Sequence, residues 1–295
     1  MKNVSKISII TLTYKNWRLL EKAITSVVNQ VVDQKYKIEY LIVDDGTDDF
    51  NVDYVSALLN NTGLDYQIIV NQHNIGTVQS FNNAIKKSSG DLIIPLSADD
   101  EFYDCYVLND IAAEFDRTDA YVITGLRVPI FNSIECQSLP SNRDYALFND
   151  AKLLLMKILV GNIISGASTY YRRELFDSVG YFDETYRLLE DYPFYIELLS
   201  AGINIALLKR KVIKYGMSGI SAAGSMNPVL RKDFLRLYKK ILTRTDLGVL
   251  NRRSILYLNI MSKREKLLNS WKYPDLFLLI AFNKIFSTIK STIFF

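Results

Sequence analysis

The amino-acid sequence predicts an α/β protein, with a mostly parallel sheet flanked by helices over residues 1–220 and a basic helical extension over residues 221–295. Strand and helix patterns alternate along the first half of the chain, as in successive strand–helix–strand units. Two pairs of adjacent aspartates each follow a strand pattern directly. From about Pro228 onward the pattern is basic and helical, which sets the extension apart.

The elements of the first half follow one another in regular order. Short apolar runs predict four strands. The strands are Ile7–Leu12, Ile38–Val43, Tyr66–Val70 and Leu92–Leu96. Apolar residues at helical spacing and stop signals predict three intervening helices. The helices run from Leu19 to Val28, over Val52–Leu59 and over Thr77–Lys87. In such a sheet, ligands bind beyond the carboxyl ends of the strands.

The second half of the chain has a more mixed pattern. We predict helices over Leu153–Leu159 and Glu190–Leu199, and strands over Ala167–Tyr171 and Ile203–Leu208. The helix at Glu190 opens with two acids and a proline, which suit a helix start. Between the first helix and the next strand, Gly161–Gly166 is interpreted as a flexible loop.

The composition excludes several kinds of site. Cys105 and Cys136 form no CxxC pair, so we expect neither a disulfide framework nor a cysteine-rich zinc site, and a reducing cytoplasm fits. His73 is the only histidine, which excludes most zinc sites and histidine-based triads. The first apolar run is interpreted as a strand rather than a signal peptide, and no run of about 18 apolar residues predicts a membrane-spanning helix.

The two aspartate pairs, Asp44–Asp45 and Asp99–Asp100, are expected to converge at one edge of the sheet because both follow strands. Adjacent carboxylates repel each other unless a cation or hydrogen-bond donors compensate. At Asp99 and Asp100, Mg²⁺ or Mn²⁺ with a diphosphate would do so. The alternative there is a helix cap beside a solvated turn residue. At Asp44 and Asp45, a carboxylate could accept a hydrogen bond from a base or a ribose, and the alternative is an ordinary turn.

Glu190 and Asp191 form a third acidic pair, at a helix start that follows a loop. A carboxylate at this position that reaches a pocket could take a proton from a hydroxyl group. Simple capping of the helix N-terminus explains the same residues adequately and is favoured when they are taken alone.

Several segments, taken in order, carry a resemblance to a known family. They are Ser8–Asn16, Leu41–Gly46, Asn74–Gly76 with Phe81–Ala84, Leu96–Asp100, Gly166–Arg173, Gly180–Glu184 and Leu189–Tyr192. The ordered set resembles glycosyltransferase family 2, whose fold is the glycosyltransferase-A fold with a Rossmann-like sheet. The resemblance covers about residues 5–220. It implies an inverting glycosyltransferase of the hexosyltransferase type that uses a nucleotide-sugar donor.

The resemblance also implies roles for individual residues. Mn²⁺ or Mg²⁺ on the donor diphosphate would be held chiefly by Asp99, with Asp100 as a second ligand, and Asp191 would be the catalytic base. Residues implied to bind the nucleotide, with UDP expected, are Thr13, Tyr14, Asp45, Asn74, Gly76 and Asp99. Two departures from the family pattern are Ser97, at the first acid of the metal motif, and Lys15, where asparagine is common.

The expected acceptor is a carbohydrate or a lipid-linked glycan in bacterial surface polysaccharide synthesis, and no nucleic-acid partner is expected. A dehydrogenase is disfavoured because no Gly-x-Gly-x-x-Gly follows the first strand. A glycoside hydrolase would also use two carboxylates, but the nucleotide-type opening argues against it. The remaining alternative is a non-catalytic, membrane-associated protein that binds nucleotide sugars. Ser97 is its best support.

The C-terminal extension predicts contact with an anionic surface. Residues 231–295 carry 14 Lys or Arg against 4 Asp or Glu, a balance of +10. Apolar residues recur at spacings of three and four along one helical stripe: Leu278, Phe282, Ile285, Ile289 and Ile293. Such a helix would lie on a membrane rather than span it, at the inner face of the cell membrane. Packing on the catalytic domain or on a second copy in a homodimer is the alternative.

Overall fold

The computed structural model describes residues 3–131, 134–216 and 227–282. The chain divides into two compact units, residues 1–233 and 234–295. The boundary predicted between residues 220 and 221 lies within 217–226, outside the described residues.

The first half of the chain forms the parallel part of the sheet, as the sequence predicts. Its strands are β1 (Lys6–Thr13), β2 (Lys37–Asp44), β3 (Asp65–Val70) and β4 (Leu92–Pro95). The helices between them are α1 (Leu20–Val28), α2 (Val52–Leu59) and α3 (Thr77–Lys87). All three strand pairs are parallel, in the order β3-β2-β1-β4. The predicted elements are confirmed to within one residue at nearly every boundary.

The second half adds strands that pair in both parallel and antiparallel fashion, together with further helices. They are β5 (Glu101–Phe102), α4 (Val107–Arg117), β6 (Val122–Phe131), β7 (Ile134–Glu135), α5 (Ala151–Ile158), β8 (Thr169–Arg172), α6 (Arg173–Val179), α7 (Asp191–Ser200) and β9 (Ile205–Tyr215). Across the described residues the sheet order is β3-β2-β1-β4-β8-β6-β9-β5, with β7 on β6. The predicted strand over Ile203–Leu208 is too short, because β9 continues through a basic stretch as the partner of β6.

Burial explains why these segments fold as they do. The central strands are apolar along most of their length because helices or other elements cover both faces of the sheet. In α1, Leu20, Ala23, Ile24 and Val27 are buried at helical spacing, so one face of the helix packs on the core.

The strand register fixes which residues lie beyond the carboxyl end of β4. Ile93 of β4 pairs with Tyr171 of β8, and Tyr171 pairs with Val122 of β6. Both pairings are antiparallel, so β6 runs in the same direction as β4. The start of β8 is therefore level with the end of β4. The turn before β8 and the second half of β6 extend past that end, toward the edge where ligands bind in parallel sheets.

The second unit is helical. The helix α8 (Pro228–Leu242) leads into it, and α9 (Val249–Ile255), a π-helical turn (Leu256–Ile260) and α10 (Lys263–Leu268) follow. Residues 274–282 are also helical. Within this unit the rings of Tyr257 and Tyr273 stack at 4.8 Å, and Arg253 pairs with Asp275. Among the described residues, no helix is both long enough and apolar enough to cross a bilayer.

Only part of the predicted apolar stripe falls in this described helix. Leu278 and Phe282 are described and exposed. Ile285, Ile289 and Ile293 lie outside the described residues.

Candidate active site

The carboxyl ends of β1, β2 and β4 meet at one edge of the sheet. Thr13 at the end of β1 pairs in register with Asp44 at the end of β2. Just beyond them, the Asp45 N–H donates to the Thr13 carbonyl at 2.9 Å. On the other side of β1, the Leu96 N–H donates to the Ile10 carbonyl at 3.0 Å. Both aspartate pairs therefore follow strands that flank β1, which places their segments at one edge.

The Asp45 carboxylate holds the segment after β3 in place. One oxygen accepts hydrogen bonds from Asn71 Nδ2 at 3.0 Å, Ile75 N at 3.0 Å and Ser80 Oγ at 2.8 Å. The other accepts from Gly76 N at 2.9 Å. Because both oxygens are used inside the protein, the observed role of Asp45 is to organise residues 71–80, and its direct contact with a nucleoside stays a prediction.

Asp44 has a different environment from Asp45. One of its oxygens accepts from the Thr47 N–H at 2.7 Å, while the other is buried with no hydrogen-bond partner in the described part of the chain. Burial raises the pKa of the Asp44 carboxyl, and hydrogen bonds from Thr47 oppose that shift. Of the two predicted acceptor carboxylates, Asp44 is therefore the one that keeps an unused oxygen.

Gly46 and Gly76 are needed where two loops approach each other closely. Both have positive φ angles, +77° and +96° respectively. A side chain on Gly46 would meet the backbone of His73 at 2.5 Å, and one on Gly76 would meet the Arg187 side chain at 2.6 Å. Arg187 also donates to the carbonyl and side-chain oxygens of Asn74, at 2.9 and 2.5 Å. The predicted residues Asn74 and Gly76 thus share one loop, held by Asp45 and Arg187.

The turn after β1 carries the other predicted nucleotide contacts. Thr13 is buried, and its hydroxyl donates to Asn16 Oδ1 at 2.8 Å. Tyr14 is 38% exposed, so its side chain is accessible to a ligand that could stack on it. Lys15 has φ +63°, a left-handed conformation that asparagine adopts more readily than lysine. That geometry gives a physical reason for the asparagine common at this position in the family.

Asp100 is fully buried at the end of the segment after β4. Its Oδ1 accepts from Gly216 N at 2.8 Å, and its Oδ2 has no hydrogen-bond partner within the described ranges. Burial raises the pKa of this carboxyl to about 7, with a contribution from the neighbouring charge of Asp99, while bonds from Gly216 and Ser97 oppose the shift. A cation beside Oδ2 would remove the unfavourable burial of an uncompensated charge.

Asp99 packs against Gly216, the residue that follows β9. A side chain on Gly216 would come within 2.1 Å of the Asp99 backbone oxygen, so residues 99–100 and 215–216 pack tightly. No group of three or more His, Cys, Asp or Glu side chains that could hold a metal occurs in the residues that the structure describes. The protein's contribution to a metal site would therefore come from Asp99 and Asp100, with the remaining ligands from diphosphate and water.

Asp191 is the first residue of α7 and contacts the turn before β8. Its Oδ2 accepts from Gly166 N at 3.0 Å, and its Oδ1 accepts from the adjacent Tyr192 N–H at 2.7 Å. The side chain of Glu190, at the cap position, makes no capping hydrogen bond. Simple capping therefore does not account for Glu190. Burial raises the pKa of both carboxyls above their ordinary values, and the neighbouring charge of Asp191 adds to the rise at Glu190.

The turn that holds Asp191 belongs to the same edge of the sheet. Gly166–Ser168 leads directly into β8, which is antiparallel to β4. That turn therefore lies beyond the carboxyl end of β4, where Asp99 and Asp100 also lie. The predicted base and the predicted metal ligands come from different elements that converge on one edge.

Arg127 on β6 and Tyr170 on β8 are polar residues of this region that sequence reasoning missed. The Tyr170 hydroxyl and Arg127 Nε are both buried without a hydrogen-bond partner among the described residues. The charge of Asp100 contributes to raising the pKa of Tyr170, after burial. The one available signal was a lone arginine in the otherwise apolar and small-residue run of Val122–Pro129.

Comparison with known sequences identifies relatives that are named glycosyltransferases. The family model "Glycosyl transferase family 2" matches residues 8–180. An uncharacterized glycosyltransferase of Haemophilus influenzae is 23% identical over 92% of this chain and 86% of its own length. A PGL/p-HBAD biosynthesis glycosyltransferase of Mycobacterium bovis is 27% identical over 72% of this chain and 75% of its own length.

Solved structures share the fold. S. aureus TarS 1-349 in complex with UDP-GlcNAc matches with a TM-score of 0.63 and 20% identity, over 85% of this chain and 70% of that one. The mannosyltransferase PcManGT from Pyrobaculum calidifontis, in complex with GDP-Man and Mn²⁺, matches with a TM-score of 0.64 and 14% identity, over 100% of this chain and 82% of that one. Against a longer TarS chain, the match covers 42% of that chain. The predicted glycosyltransferase-A fold is confirmed.

Proposed function

The chain belongs to glycosyl transferase family 2, and from that premise we propose that it transfers a sugar, with inversion, from a nucleotide diphosphate donor to a carbohydrate or lipid-linked glycan. A UDP-sugar is the proposed donor. Structures with the same fold hold UDP-GlcNAc or GDP-Man, so the fold accommodates more than one nucleotide. Bacterial surface polysaccharide synthesis is the proposed setting. The observation that carries the proposal is the buried, unpaired oxygen of Asp100 at the ligand-binding edge of a parallel sheet.

The unpaired Asp100 Oδ2 is evidence for a divalent-cation site. A buried carboxylate with one unused oxygen is unfavourable by itself, and a hard cation with oxygen ligands compensates it. We propose that Asp100 is the main protein ligand and that Asp99 assists. The family resemblance instead implies that Asp99 is the main ligand. When bound, Mn²⁺ or Mg²⁺ would offset the charge that develops on the departing nucleoside diphosphate.

Asp191 is the proposed base. The acceptor hydroxyl attacks the anomeric carbon, a new carbon–oxygen bond forms, and the bond to the donor phosphate oxygen breaks. Asp191 takes the proton of the hydroxyl, and its raised pKa makes the carboxylate a better proton acceptor than an ordinary aspartate. The Gly166 N–H fixes the carboxylate by one oxygen, Oδ2. No acid is required for the diphosphate to leave.

The proposed activity is tested by measuring release of nucleoside diphosphate from UDP-, GDP- and dTDP-sugars with Mn²⁺ or Mg²⁺ and a panel of acceptors. We expect turnover of a UDP-sugar that excess chelator removes. Asp100→Ala should lose that turnover, whereas Asp53→Asn, an exposed acid on α2, should retain it. Full turnover in excess chelator contradicts the metal assignment. Failure of every donor to bind contradicts the proposed function.

We also propose that the second unit attaches the protein to an anionic membrane surface. Its described part exposes Leu267, Leu268 and Trp271 by 65%, 65% and 73%. The helix over residues 274–282 exposes Leu278 and Phe282. Basic residues of the same unit include Arg252, Arg253, Lys263, Arg264, Lys266 and Lys272. Each basic group near an anionic leaflet contributes about 1 kcal/mol, and a lipid-linked acceptor would make such attachment useful.

Co-sedimentation with liposomes tests the attachment. We expect binding to anionic liposomes that weakens with salt and is lost when residues 273–295 are deleted. Because deletion also removes the Tyr273 stack on Tyr257, the double substitution Leu278→Ser with Phe282→Ser is the milder variant. Val31→Ser, on an exposed side chain of the first unit, is the control. Equal sedimentation of the full-length protein and both variants contradicts the proposal.

A further inference from the structure

Resting on the proposed function, we propose that Arg127 binds the diphosphate of the nucleotide donor, as an anion contact separate from the metal ligands Asp99 and Asp100. Nothing in the family motifs of the sequence marks this residue. The inference rests on the position of Arg127 in the sheet, on its unused hydrogen-bonding capacity and on the aromatic ring that supports it.

The position follows from the register of β4, β8 and β6. Thr124 of β6 pairs with Thr169, the first residue of β8, and Arg127 lies three residues further along β6. Arg127 therefore lies beyond the carboxyl end of β4. The segment that carries Asp100 follows β4 and lies beyond the same end. The pairing of β6 with β9 shifts register between Thr124 and Leu126 and again between Leu126 and Arg127. Irregularities of this kind re-aim side chains and are frequent next to active sites.

The guanidinium of Arg127 is supported by Tyr215. Its Cζ lies 4.1 Å from the centre of the Tyr215 ring, within the range of a cation–π contact. The next residue, Gly216, donates its N–H to Asp100 Oδ1 at 2.8 Å. Tyr215, the last residue of β9, thus contacts Arg127, and the residue that follows it contacts the proposed metal ligand Asp100.

Arg127 keeps donors that nothing in the described chain uses. Its Nε is buried without a partner, and no carboxylate in the described residues lies within 4.0 Å to form an ion pair with it. A planar guanidinium with free donors is suited to the oxygens of a phosphate, which it can contact through two parallel hydrogen bonds. The buried Tyr170 hydroxyl and Asp100 Oδ2 are likewise without a partner among the described residues. Asp100 interacts electrostatically with both Arg127 and Tyr170, and the unused groups of these residues suit a charged ligand and its cation.

The charge of Arg127 acts on both proposed functional acids. Burial dominates the raised pKa values of Asp100 and Asp191, and the positive charge of Arg127 opposes the rise at each of them. A purely structural alternative follows from this: Arg127 could compensate these carboxylates without touching a ligand. The two possibilities differ in which ligands Arg127 helps to bind and in whether that help requires a metal.

Equilibrium binding of UDP, UMP and uridine to the full chain separates the two roles. The variants are Arg127→Gln, which removes the charge, and Arg127→Lys, which keeps the charge but loses the planar fork. Arg117→Gln removes the same charge from the exposed end of α4 and is the control. Thermal unfolding of each variant establishes that it is folded, and Arg127→Lys serves if Arg127→Gln does not fold. Each titration is run with Mn²⁺ and again in excess chelator.

We expect Arg127→Gln to weaken UDP binding by about 10- to 100-fold, the usual effect of losing a hydrogen bond to a charged group, and to leave uridine binding within about twofold. The loss should persist in chelator, because the contact is with phosphate and not through the metal. Equal losses for UDP and uridine, or a loss that disappears in chelator, overturn the proposal. If the wild-type chain binds no nucleoside diphosphate, the proposed function itself fails. If it binds UDP and the Arg127 variants bind equally well, only this inference fails.

Discussion

Replacing Asp45 with asparagine tests whether this carboxylate organises the loop after β3 or only contacts a ligand. The substitution keeps the shape of the side chain and removes its charge. In the native protein one oxygen accepts from Gly76 N at 2.9 Å, and the other accepts from three donors, including Ser80 Oγ at 2.8 Å. With the substituted asparagine in its most favourable orientation, the amide NH₂ would face the Gly76 N–H, donor against donor.

The magnitude follows from the count of these bonds. One hydrogen bond to a buried charge is lost, which costs about 1.5–3 kcal/mol, and the other three become neutral and weaker. Asp45 is only 5% exposed, so water cannot replace the lost acceptor. We therefore expect Asp45→Asn to lower the free energy of unfolding by about 2–4 kcal/mol, which is large for an isosteric change at a single site.

Urea unfolding followed by far-UV circular dichroism measures the effect. Asp48→Asn, at an exposed position of the same turn, is the control and should change the free energy of unfolding by no more than about 0.5 kcal/mol. A contrary outcome is that Asp45→Asn leaves stability as unchanged as Asp48→Asn does and yet abolishes uridine binding. That outcome would refute the organising role and favour direct contact between Asp45 and the uracil base or ribose of the ligand. Loss of both stability and uridine binding is expected if the loop forms one wall of the nucleotide site.

Four further substitutions test other parts of the molecule. Asp191→Asn should reduce kcat by about 10²–10⁴ with UDP binding preserved, and a near-normal kcat would rule the residue out as the base. Gly166→Ala places a methyl group 3.0 Å from Asp191 Oδ2 and should lower kcat by about tenfold, whereas Gly161→Ala, with open space around it, should not. Lys15→Asn should stabilise the fold by roughly 0.5–1 kcal/mol in urea unfolding, since it relieves a left-handed lysine, and a loss of stability would contradict this. Burial raises the pKa of the Glu39 carboxyl, but bonds from Lys6, Ser8 and Ser89 outweigh it and lower the pKa from 4.5 to about 2. The stability lost in Glu39→Gln, about 2–3 kcal/mol at neutral pH, should therefore vanish as the pH falls from 4.5 to about 2, and a constant difference would refute the linkage.

The sequence was sufficient for the parallel half of the fold because three of its four strands, β1, β2 and β4, are covered on both faces. Such strands are continuous apolar runs, and Val52–Leu59 and Thr77–Lys87 carry clear helical spacing between them. The second half of the sheet, which mixes parallel and antiparallel pairs, was harder to predict for a physical reason. The strand β9 includes Lys209, Arg210 and Lys211, whose charges interrupt any apolar pattern, and only its pairing with β6 and β5 extends it to Tyr215.

Motif order led to Asp45, Asp100 and Asp191, but it could not give their hydrogen bonds. The four donors on Asp45 come from residues 26 to 35 positions further along the chain. Asp100 is bonded to Gly216, which is 116 residues away, and that contact decides which of its two oxygens is left unpaired. Arg127 was missed because no local pattern distinguishes a strand arginine that faces a site from one that faces solvent.

The strand order predicts that different parts of the site bind the donor and carry out proton transfer. In the order β3-β2-β1-β4, strands β2 and β3 are added on one side of β1 and β4 on the other. The connections on the two sides therefore leave a crevice beyond the carboxyl ends of β1 and β4. The turn with Tyr14 follows β1 and the segment with Asp100 follows β4, so both border this crevice. Asp191 instead reaches the edge from α7, through the turn before antiparallel β8. We therefore expect changes in the parallel half to raise the donor KM and changes around Asp191 to lower kcat. Donor KM and kcat measured for Tyr14→Ala and for Asp191→Asn test this division, and an equal split of effects between the two variants would contradict it.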